Sequence, residues 1–414
     1  MHPLSQSTIV PLVQGALNKY EAQLKDTNHK IWTNPELAYE EYNAHDVICT
    51  LFESLDQRFD VQRSAYGVET AFQISYASGK GGRIVVFNAE YDALPGIGHA
   101  CGHNLIATSA IAAFLATCKA MQTLYPNDPP YAVRLLGTPA EEGGGGKLRL
   151  IEAGAYQGVD ACLMVHPFPL LTKSPDVVSA SLCTGQWLAN NKFRVSFTGR
   201  PAHASGAPWE GVNALDAVVA AYNNLSLLRQ QIRPTERIHG VVINGGDRPN
   251  IIPECTTVEY YIRSDTVASL KALRERVMRC FEAAALATGC KVDYEEKAAY
   301  MDIKSNVPIC EAFNDAMNGM GHRSILDAAG HGGFSGASTD MGNVSYVVPG
   351  FHGGFYLAAE GANHTSEFTR AAGSSQGFQR SIQSAAGMAI VSCRVLADDE
   401  FAAAVKADFD RPCT

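Results

Sequence analysis

The sequence predicts an α/β protein in which a mostly parallel sheet carries helices on both faces, with a second, ferredoxin-like α+β domain inserted. Three observations support this prediction. Short apolar, β-branched runs alternate with segments of helical periodicity. Polar clusters follow the ends of those runs, where ligands gather in parallel sheets. From about Leu188 the pattern changes to strand, helix, strand, strand, helix, strand, which is the order of a ferredoxin-like unit.

Length and composition predict the class of protein. The chain has 414 residues, 46% of them hydrophobic and 18% charged, which is typical of a globular protein with two or three domains. We place one domain in residues 1–187 and 300–414 and the inserted domain in residues 188–299. The net charge of -9 argues against nucleic acid or an anionic membrane as partner. We see no apolar run of membrane-spanning length, and the 11 scattered cysteines favour reduced thiols and a cytoplasmic location.

The elements of the first domain follow from periodicity and turn residues. Helical spacing between Ser7 and Leu55 is interrupted at Asn34-Pro35. The elements predicted next are strands at Thr70–Ser75 and Arg83–Phe87, a helix from Leu105 to about Ala120, and strands at Tyr131–Leu136 and Asp160–Val165.

The second half is predicted in the same way. The inserted domain has strands at Phe193–Phe197, Gly240–Ile243, Thr257–Ile262 and Lys291–Tyr294, with helices at Val212–Leu228 and Ser269–Ala287. The first domain then resumes with a helix near Val307–Met317, a loop at His331–Asp340, a strand at Val344–Val348 and a helix from Ser374 to Leu396.

The loop from Asn88 to Asn104 joins a predicted strand to a predicted helix and concentrates chemistry. Over fourteen residues it contains two carboxylates, two histidines and a cysteine: Glu90, Asp92, His99, Cys101 and His103. Glycines within it allow tight folding. Because Cys101 and His103 stand two apart, an extended segment would project both to one side, where they suit a divalent metal.

Further candidate ligands follow other strands. Glu141 and Glu142 end a strand, and because neighbouring strand residues face opposite ways, we expect one on the metal and the other on the attacking water. His166 ends the next strand. His364 lies in a polar loop, and His331 and His352 compete with it as last ligand. Alone, each of these has an ordinary interpretation: an acidic turn, a core histidine or a surface histidine.

The combined motifs carry a resemblance. They are Asp-Ala-Leu-Pro from Asp92, His-Ala-Cys-Gly-His-Asn from His99, Pro-Ala-Glu-Glu with following glycines from Pro139, Pro-Ala-His-Ala from Pro201, Asn-Ile-Ile-Pro from Asn250 and Ser-Thr-Asp from Ser338. In this order they resemble metallopeptidase family twenty. The similar branch contains hydrolases of indole-acetyl amino acids and p-aminobenzoyl-glutamate, and dipeptidases acting before a basic C-terminal residue. Asn104, where the indole-acetyl branch usually has aspartate, resembles the dipeptidase side.

The resemblance implies a zinc-peptidase-like catalytic domain with two divalent ions. Zinc suits a thiolate ligand best, with manganese or cobalt as alternatives. Cys101 would bridge the ions, His103 and His166 would complete one site, and Glu142 and His364 the other. Glu141 would be the general base, and Asp92 would orient a ligand.

The resemblance also assigns roles in the inserted domain, which would serve as lid and interface of a homodimer. His203 would reach the neighbouring subunit's active site and support the oxyanion. Asn250 and Arg263 are weaker candidates for binding a substrate carboxylate.

The expected function is hydrolysis of the amide bond of an N-acyl amino acid or dipeptide by a metal-activated water. Three alternatives stay open. The same groups could form amides in a biosynthetic pathway, because both directions use the same catalysts. Cys101 could be a nucleophile with His103 or His99 as its base. The chain could also be a binding module on this fold.

Overall fold

The computed structural model describes residues 6–77, 81–125, 131–170, 181–183, 187–326 and 336–412. The chain forms two compact units. The first comprises Met1–Gln186, Ile303–Ser335 and Asp340–Thr414, and the second comprises Trp187–Asp302 with Gly336–Thr339. The predicted inserted domain spanned 188–299, so these bounds differ by a few residues and add a short segment far along the chain.

The described residues contain eleven α-helices and twelve strands. In chain order they are α1 (Gln6–Thr33), α2 (Tyr42–Leu55), β1 (Asp60–Arg63), β2 (Phe72–Ala77), β3 (Arg83–Ala89), α3 (His103–Leu124), β4 (Tyr131–Gly137), α4 (Gly146–Glu152), β5 (Ala161–Pro169), β6 (Ser181–Leu182), β7 (Ala189–Thr198), α5 (Ala214–Leu228), β8 (Arg237–Asn244), β9 (Cys255–Ser264), α6 (Val267–Thr288), β10 (Lys291–Glu296), α7 (Val307–Gly319), β11 (Ser324–Ile325), α8 (Met341–Ser345), β12 (Gly350–Leu357), α9 (Ser366–Ala372), α10 (Ser375–Ala397) and α11 (Asp399–Phe409).

The first unit is built on one eight-stranded sheet in the order β1-β2-β4-β3-β5-β12-β6-β11. The four central strands β4, β3, β5 and β12 pair in parallel, whereas β1, β2 and the contact between β12 and β6 are antiparallel. The predicted mostly parallel sheet is confirmed. Because β3, β4 and β5 run in the same direction, their carboxyl ends lie next to one another.

Alternating side chains of the central strands enter two different cores. Val85 and Phe87 pack with α1, α3 and α10 on one face, whereas Val86 between them packs with α4 and α8 on the other. The predicted helices on both faces are therefore present. We expected no apolar run of membrane-spanning length, but α3 is long enough and apolar enough to cross a membrane. In the structure, however, 94% of its most apolar window is buried inside the protein. It is the central core helix.

Two predicted strands differ from the structure. The predicted strand Val344–Val348 is wrong, because α8 covers its beginning and the strand starts at Gly350. A short β-branched run fits either element, whereas glycines and a histidine made β12 resemble a loop. Gly354 is needed there, since an added Cβ would lie 2.5 Å from the ring of Phe168. Strand β5 also continues past His166, which therefore lies inside a strand.

The inserted unit is the predicted ferredoxin-like fold. Its sheet has the order β10-β7-β9-β8, and all three pairings are antiparallel. Asn213 caps α5 and Thr266 caps α6, each accepting a backbone N–H in the first helical turn. Both helices contribute to a core with β7 and β9. Only Ile238 of β8 is buried, so that strand is an exposed sheet edge.

Candidate metal centre

The predicted ligands converge in the first unit. The ligand atoms of Cys101, His103 and His166 all lie within 4.8 Å of one another, and so do those of Cys101, Glu142 and His364. Cys101 belongs to both groups, which is the arrangement expected of a bridging ligand. We call Cys101, His103, Glu142, His166 and His364 the metal centre.

Close packing of the loop between β3 and α3 sets the position of Cys101. Gly102 has a φ of 80°, and an added Cβ would lie 2.5 Å from Cγ of Pro167. The loop therefore approaches the end of β5 as only glycine permits. This approach leaves Cys101 Sγ 3.4 Å from His166 Nε2.

One hydrogen bond sets the orientation of His166. Its Nδ1–H donates to the carbonyl of Pro167 at 2.8 Å, so in the neutral ring Nε2 carries the lone pair that faces Cys101. Burial lowers the pKa of His166 well below its ordinary value and keeps the ring neutral. A neutral imidazole with a fixed tautomer is the form that binds metal ions.

Asp92 connects two members of the metal centre. One of its oxygens accepts the Nδ1–H of His103 at 2.9 Å, and the other accepts the backbone N–H of Glu142 at 2.9 Å. Burial opposes ionisation of Asp92, but the neighbouring His103 and these hydrogen bonds hold the pKa of its carboxyl below the usual value. Burial likewise opposes charge on His103, whereas Asp92 and Cys101 raise the pKa of its ring well above the ordinary value.

The free nitrogen of His103 faces carboxylates. His103 Nε2 lies 3.6 Å from Glu90 Oε2 and 4.0 Å from both Glu141 Oε2 and Glu142 Oε1. Among the described residues, neither His103 Nε2 nor Glu90 Oε2 has a hydrogen-bond partner. The carboxylates of Glu90, Glu141 and Glu142 are grouped around this one nitrogen, and grouped negative charges repel one another unless a cation lies between them. The donor set of nitrogen, sulfur and oxygen therefore fits divalent ions.

Glu141 and Glu142 both face the metal centre, although neighbouring residues of a strand would face opposite ways. The reason is that they lie in a turn after β4, and Ala140 before them has a φ of 59°. The carboxylates of both residues lie within 4.8 Å of the His103 ring nitrogen. Burial, together with the charges of Glu90 and Glu142, raises the pKa of Glu141 well above the usual value. A carboxyl of that kind binds a proton readily.

His364 completes the second ligand group from a distant loop. Its backbone N–H donates to the carbonyl of Ala100 at 2.8 Å, and its Nε2 lies 3.2 Å from Glu142 Oε1. His352, a competing candidate, lies in β12 outside both groups, and burial lowers the pKa of its ring to about 3. His331, the other competitor, lies outside the described residues.

Sequence reasoning missed a buried ion triad beside the metal centre. Lys147 Nζ lies 2.5 Å from Glu90 Oε1 and 2.6 Å from Asp340 Oδ1, and all three side chains are buried. Glu90 lies in the loop from Asn88 to Asn104, and Asp340 ends the Ser-Thr-Asp motif. Lys147 follows a run of glycines, and nothing in the sequence around it predicts an ion pair. The triad joins three chain segments behind the ligands.

The inserted unit contains the remaining predicted residues. His203 is exposed, and its Nδ1 accepts the backbone N–H of Gly206 at 3.0 Å. The carbonyl of Asn250 accepts the N–H of Ala204, so the two predicted loops are paired. Arg263 donates through Nη1 to the carbonyl of Gly336 at 2.6 Å and to Ser338 Oγ at 3.2 Å. Their roles toward a substrate stay predictions.

Comparison with known proteins decides the family. Residues 190–288 match the model of the M20 peptidase dimerisation domain. The Xaa-Arg dipeptidase of Mus musculus is 42% identical over 387 residues, covering 92% of this chain and 87% of the mouse protein. The chain belongs to the M20 peptidase family. The Xaa-Arg dipeptidase of Homo sapiens is 40% identical over 390 residues, with the same coverage of 92% and 87%.

A solved M20 structure shares the fold. The Bacillus subtilis YXEP protein, described as a dinuclear metal-binding peptidase, aligns over 91% of this chain and 99% of its own, with a TM-score of 0.67 and 18% identity. As an M20 peptidase related to dipeptidases, this protein is a hydrolytic enzyme.

Proposed function

We propose that this M20 peptidase hydrolyses the amide bond of a dipeptide or an N-acyl amino acid and uses two divalent ions held by the metal centre. The observation that carries the proposal is the sharing of Cys101 between two ligand groups, with Glu141 beside them. The Xaa-Arg dipeptidases support the hydrolysis of dipeptides, and the YXEP protein, which is described as a dinuclear metal-binding peptidase, shares the fold.

The chain's residues supply the proton transfers. When bound, divalent ions lower the pKa of water toward ~7 and polarise a carbonyl oxygen. Glu141 accepts the proton of the attacking water and donates it to the departing amide nitrogen. Such acid–base catalysis contributes typically about 10²–10⁴-fold to the rate.

His203 supports the oxyanion in this proposal. Its Nδ1 accepts backbone N–H groups from Ser205 and Gly206, so in the neutral ring the proton resides on Nε2. The exposed edge of the ring is therefore a hydrogen-bond donor. A donor of this type adds about 3 kcal/mol of transition-state stabilisation in oxyanion holes.

A dipeptide with a basic C-terminal residue is the substrate class that the relatives favour, and zinc is the metal that a thiolate ligand favours. Asn104, which resembles the dipeptidase side of the family, lies inside the first unit. It is fully buried, and its amide donates to Asn28 and to the carbonyl of Ala372. We retain Asn250 and Arg263 as candidates for binding the substrate carboxylate.

We further propose a homodimer formed through β8 of the inserted unit. Val241, Val242 and Ile243 are exposed by 61%, 54% and 54% at this open sheet edge. An apolar edge strand is a liability unless another strand pairs with it. Val242→Glu should convert the dimer to a monomer in analytical ultracentrifugation, whereas the exposed α11 variant Lys406→Glu should leave it dimeric. A wild-type monomer at micromolar concentration would contradict the proposal.

Of the alternatives, a cysteine nucleophile is less consistent with the site, whereas amide synthesis is equally consistent with it. A cysteine nucleophile would leave Glu142, His166 and His364 without a role, although all three lie within 4.8 Å of the Cys101 thiol. His99, one of its two candidate bases, donates to the carbonyl of Ile31. Amide synthesis would use the same residues as hydrolysis.

We also propose a cytoplasmic location. The ten described cysteines form no disulfides with one another, which supports this proposal.

The proposal is tested with protein that has been stripped by a chelator and reloaded with Zn²⁺, Mn²⁺ or Co²⁺. Each form is assayed on dipeptides ending in Arg, Lys, Leu or Asp and on the matching N-acetyl amino acids, in both directions. We expect hydrolysis that disappears on stripping and returns with metal. Activity that survives stripping but is lost on thiol alkylation would overturn the metal mechanism in favour of a cysteine nucleophile.

A further inference from the structure

Glu41 is a buried carboxylate that the proposed mechanism does not use. It lies between α1 and α2 and is completely buried. Its Oε1 accepts the backbone N–H of Ala140 at 2.8 Å, and its Oε2 accepts the hydroxyl of Thr70 at 2.8 Å. Burying a carboxylate is costly even when its oxygens are hydrogen-bonded. A function for the group would explain why it is there.

Its partner Ala140 has an unusual backbone conformation. The φ of 59° lies in the left-handed region, which a residue with a Cβ adopts only with backbone strain. Ala140 is fully buried and immediately precedes Glu141. Its conformation turns the chain so that the next two carboxylates both reach the His103 side of the site. The strained residue therefore sets the direction of Glu141.

A second buried carboxylate, that of Asp92, accepts a hydrogen bond from the backbone on the other side of Glu141. The N–H of Glu142 donates to Asp92 Oδ2 at 2.9 Å, and the N–H of Ala140 donates to Glu41. The residues immediately before and after Glu141 are thus each hydrogen-bonded to a carboxylate from another part of the chain. Asp92 also binds His103, whereas the other oxygen of Glu41 binds Thr70, outside the metal centre.

We propose that Glu41 is a positioning residue for the general base: by holding Ala140 in the left-handed conformation, it directs the Glu141 carboxylate toward the reacting water. The inference rests on the proposed function, since it takes Glu141 as the base. Glu41 acts through the backbone of Ala140. Displacement of a catalytic group by about 1 Å costs on the order of 10²-fold in rate, so the effect is measurable.

The test compares Glu41→Ala, Glu41→Gln and the matched control Glu40→Gln, whose side chain is exposed at the adjacent position. We expect Glu41→Ala to lower kcat by about 10–100-fold, with KM within about twofold of wild type and metal content unchanged. Glu41→Gln keeps an acceptor for Ala140 N–H and can donate to Thr70, so most of kcat should return. A wild-type kcat in folded Glu41→Ala, with only a lower Tm, would overturn the inference.

A second substitution separates positioning from general stabilisation. Glycine adopts a positive φ without penalty, so Ala140→Gly added to Glu41→Ala should recover several-fold in kcat. A purely structural role predicts no such recovery. If Glu41→Ala does not fold, Thr70→Val is the alternative, because it removes the hydroxyl that hydrogen-bonds to Glu41. A wild-type kcat in Thr70→Val would then contradict the inference.

A crystal structure of Glu41→Ala provides a readout without substrate. We expect Ala140 to leave the left-handed region and the Glu141 carboxylate to move by about 1 Å or more. An unchanged Glu141 would overturn the inference. Failure of the proposed function has a different signature, because Glu141→Gln would then keep its activity. An inactive Glu141→Gln beside a fully active Glu41→Ala would reject only the positioning role.

Discussion

The first unit buries charged side chains at its predicted site, whereas the inserted unit exposes its predicted site residues and the apolar side chains of one strand. In the first unit, Glu90, Asp92, Glu141, Lys147 and Asp340 are all buried within or behind the ligand groups. In the inserted unit, His203 and Asn250 are exposed on paired loops, and the apolar side chains of β8 face outward. The proposed chemistry therefore belongs to the unit with buried charge, and the proposed binding surface belongs to the unit with exposed side chains. Substitutions in the two units should therefore have different effects on activity, metal content and stability.

The largest effect is expected at the general base. Glu141→Gln removes the proton acceptor but keeps the size of the side chain, so kcat should fall by about 10²–10⁴-fold. The metal content measured by mass spectrometry should stay at the wild-type value, since the five proposed ligands are intact. Substantial activity in this variant would contradict the assigned role and weaken the contrast between the units.

Buried and exposed ion pairs should differ strongly in their contribution to stability. Lys147→Met leaves Glu90 and Asp340 buried without their cation, which should lower the free energy of unfolding by about 3–5 kcal/mol. The control is Arg194→Met in the inserted unit, where Arg194 is 40% exposed and lies 2.8 Å from Glu259. That change should cost about 0–1 kcal/mol. Equal losses in urea unfolding would show that burial does not distinguish the two pairs.

The inserted unit should contribute to the transition state and not to metal binding. His203→Ala should lower kcat by about 10²-fold, corresponding to one oxyanion donor, with metal content unchanged. His203→Gln, which keeps an N–H donor, should recover part of the rate. If KM rises while kcat is unchanged, His203 contributes to ground-state binding instead.

A smaller effect is expected from pH. Burial raises the pKa of Glu41 to about 7 from 4.5, so the folded protein holds a proton that the unfolded chain has already released between these values. The stability gained from that proton is present below the unfolded pKa and is lost as pH rises through about 7. Relative to wild type, Glu41→Gln should therefore gain up to about 3 kcal/mol between about pH 5 and about pH 8. A constant difference in unfolding free energy would show that Glu41 is ionised throughout.

Much of the fold could be predicted because it depends on local pattern, whereas the choice of ligands followed from the resemblance to a known family. Strand periodicity identified β3, β4 and β5, three of the four central strands. The resemblance of the motifs to a known family selected the five residues that converge. What the sequence did not reveal depends on distant contacts. The direction of Glu141 and Glu142 depends on Ala140, whose backbone is bound by a residue 99 positions away. The Lys147 triad likewise forms only because distant segments meet in the folded chain, and β12 becomes a strand because it pairs with β5.

The central claim is that Cys101 is shared by two ions, and the most direct measurement is the zinc content of reloaded protein. We predict two zinc ions per chain in the wild type, two in Cys101→Asp, because a carboxylate can also bridge, and at most one in Cys101→Ala. Replacing His364 by alanine should remove one ion and leave the group of His103 and His166 intact. A wild-type chain that binds no more than one ion, or a Cys101→Ala chain that still binds two, would contradict the account.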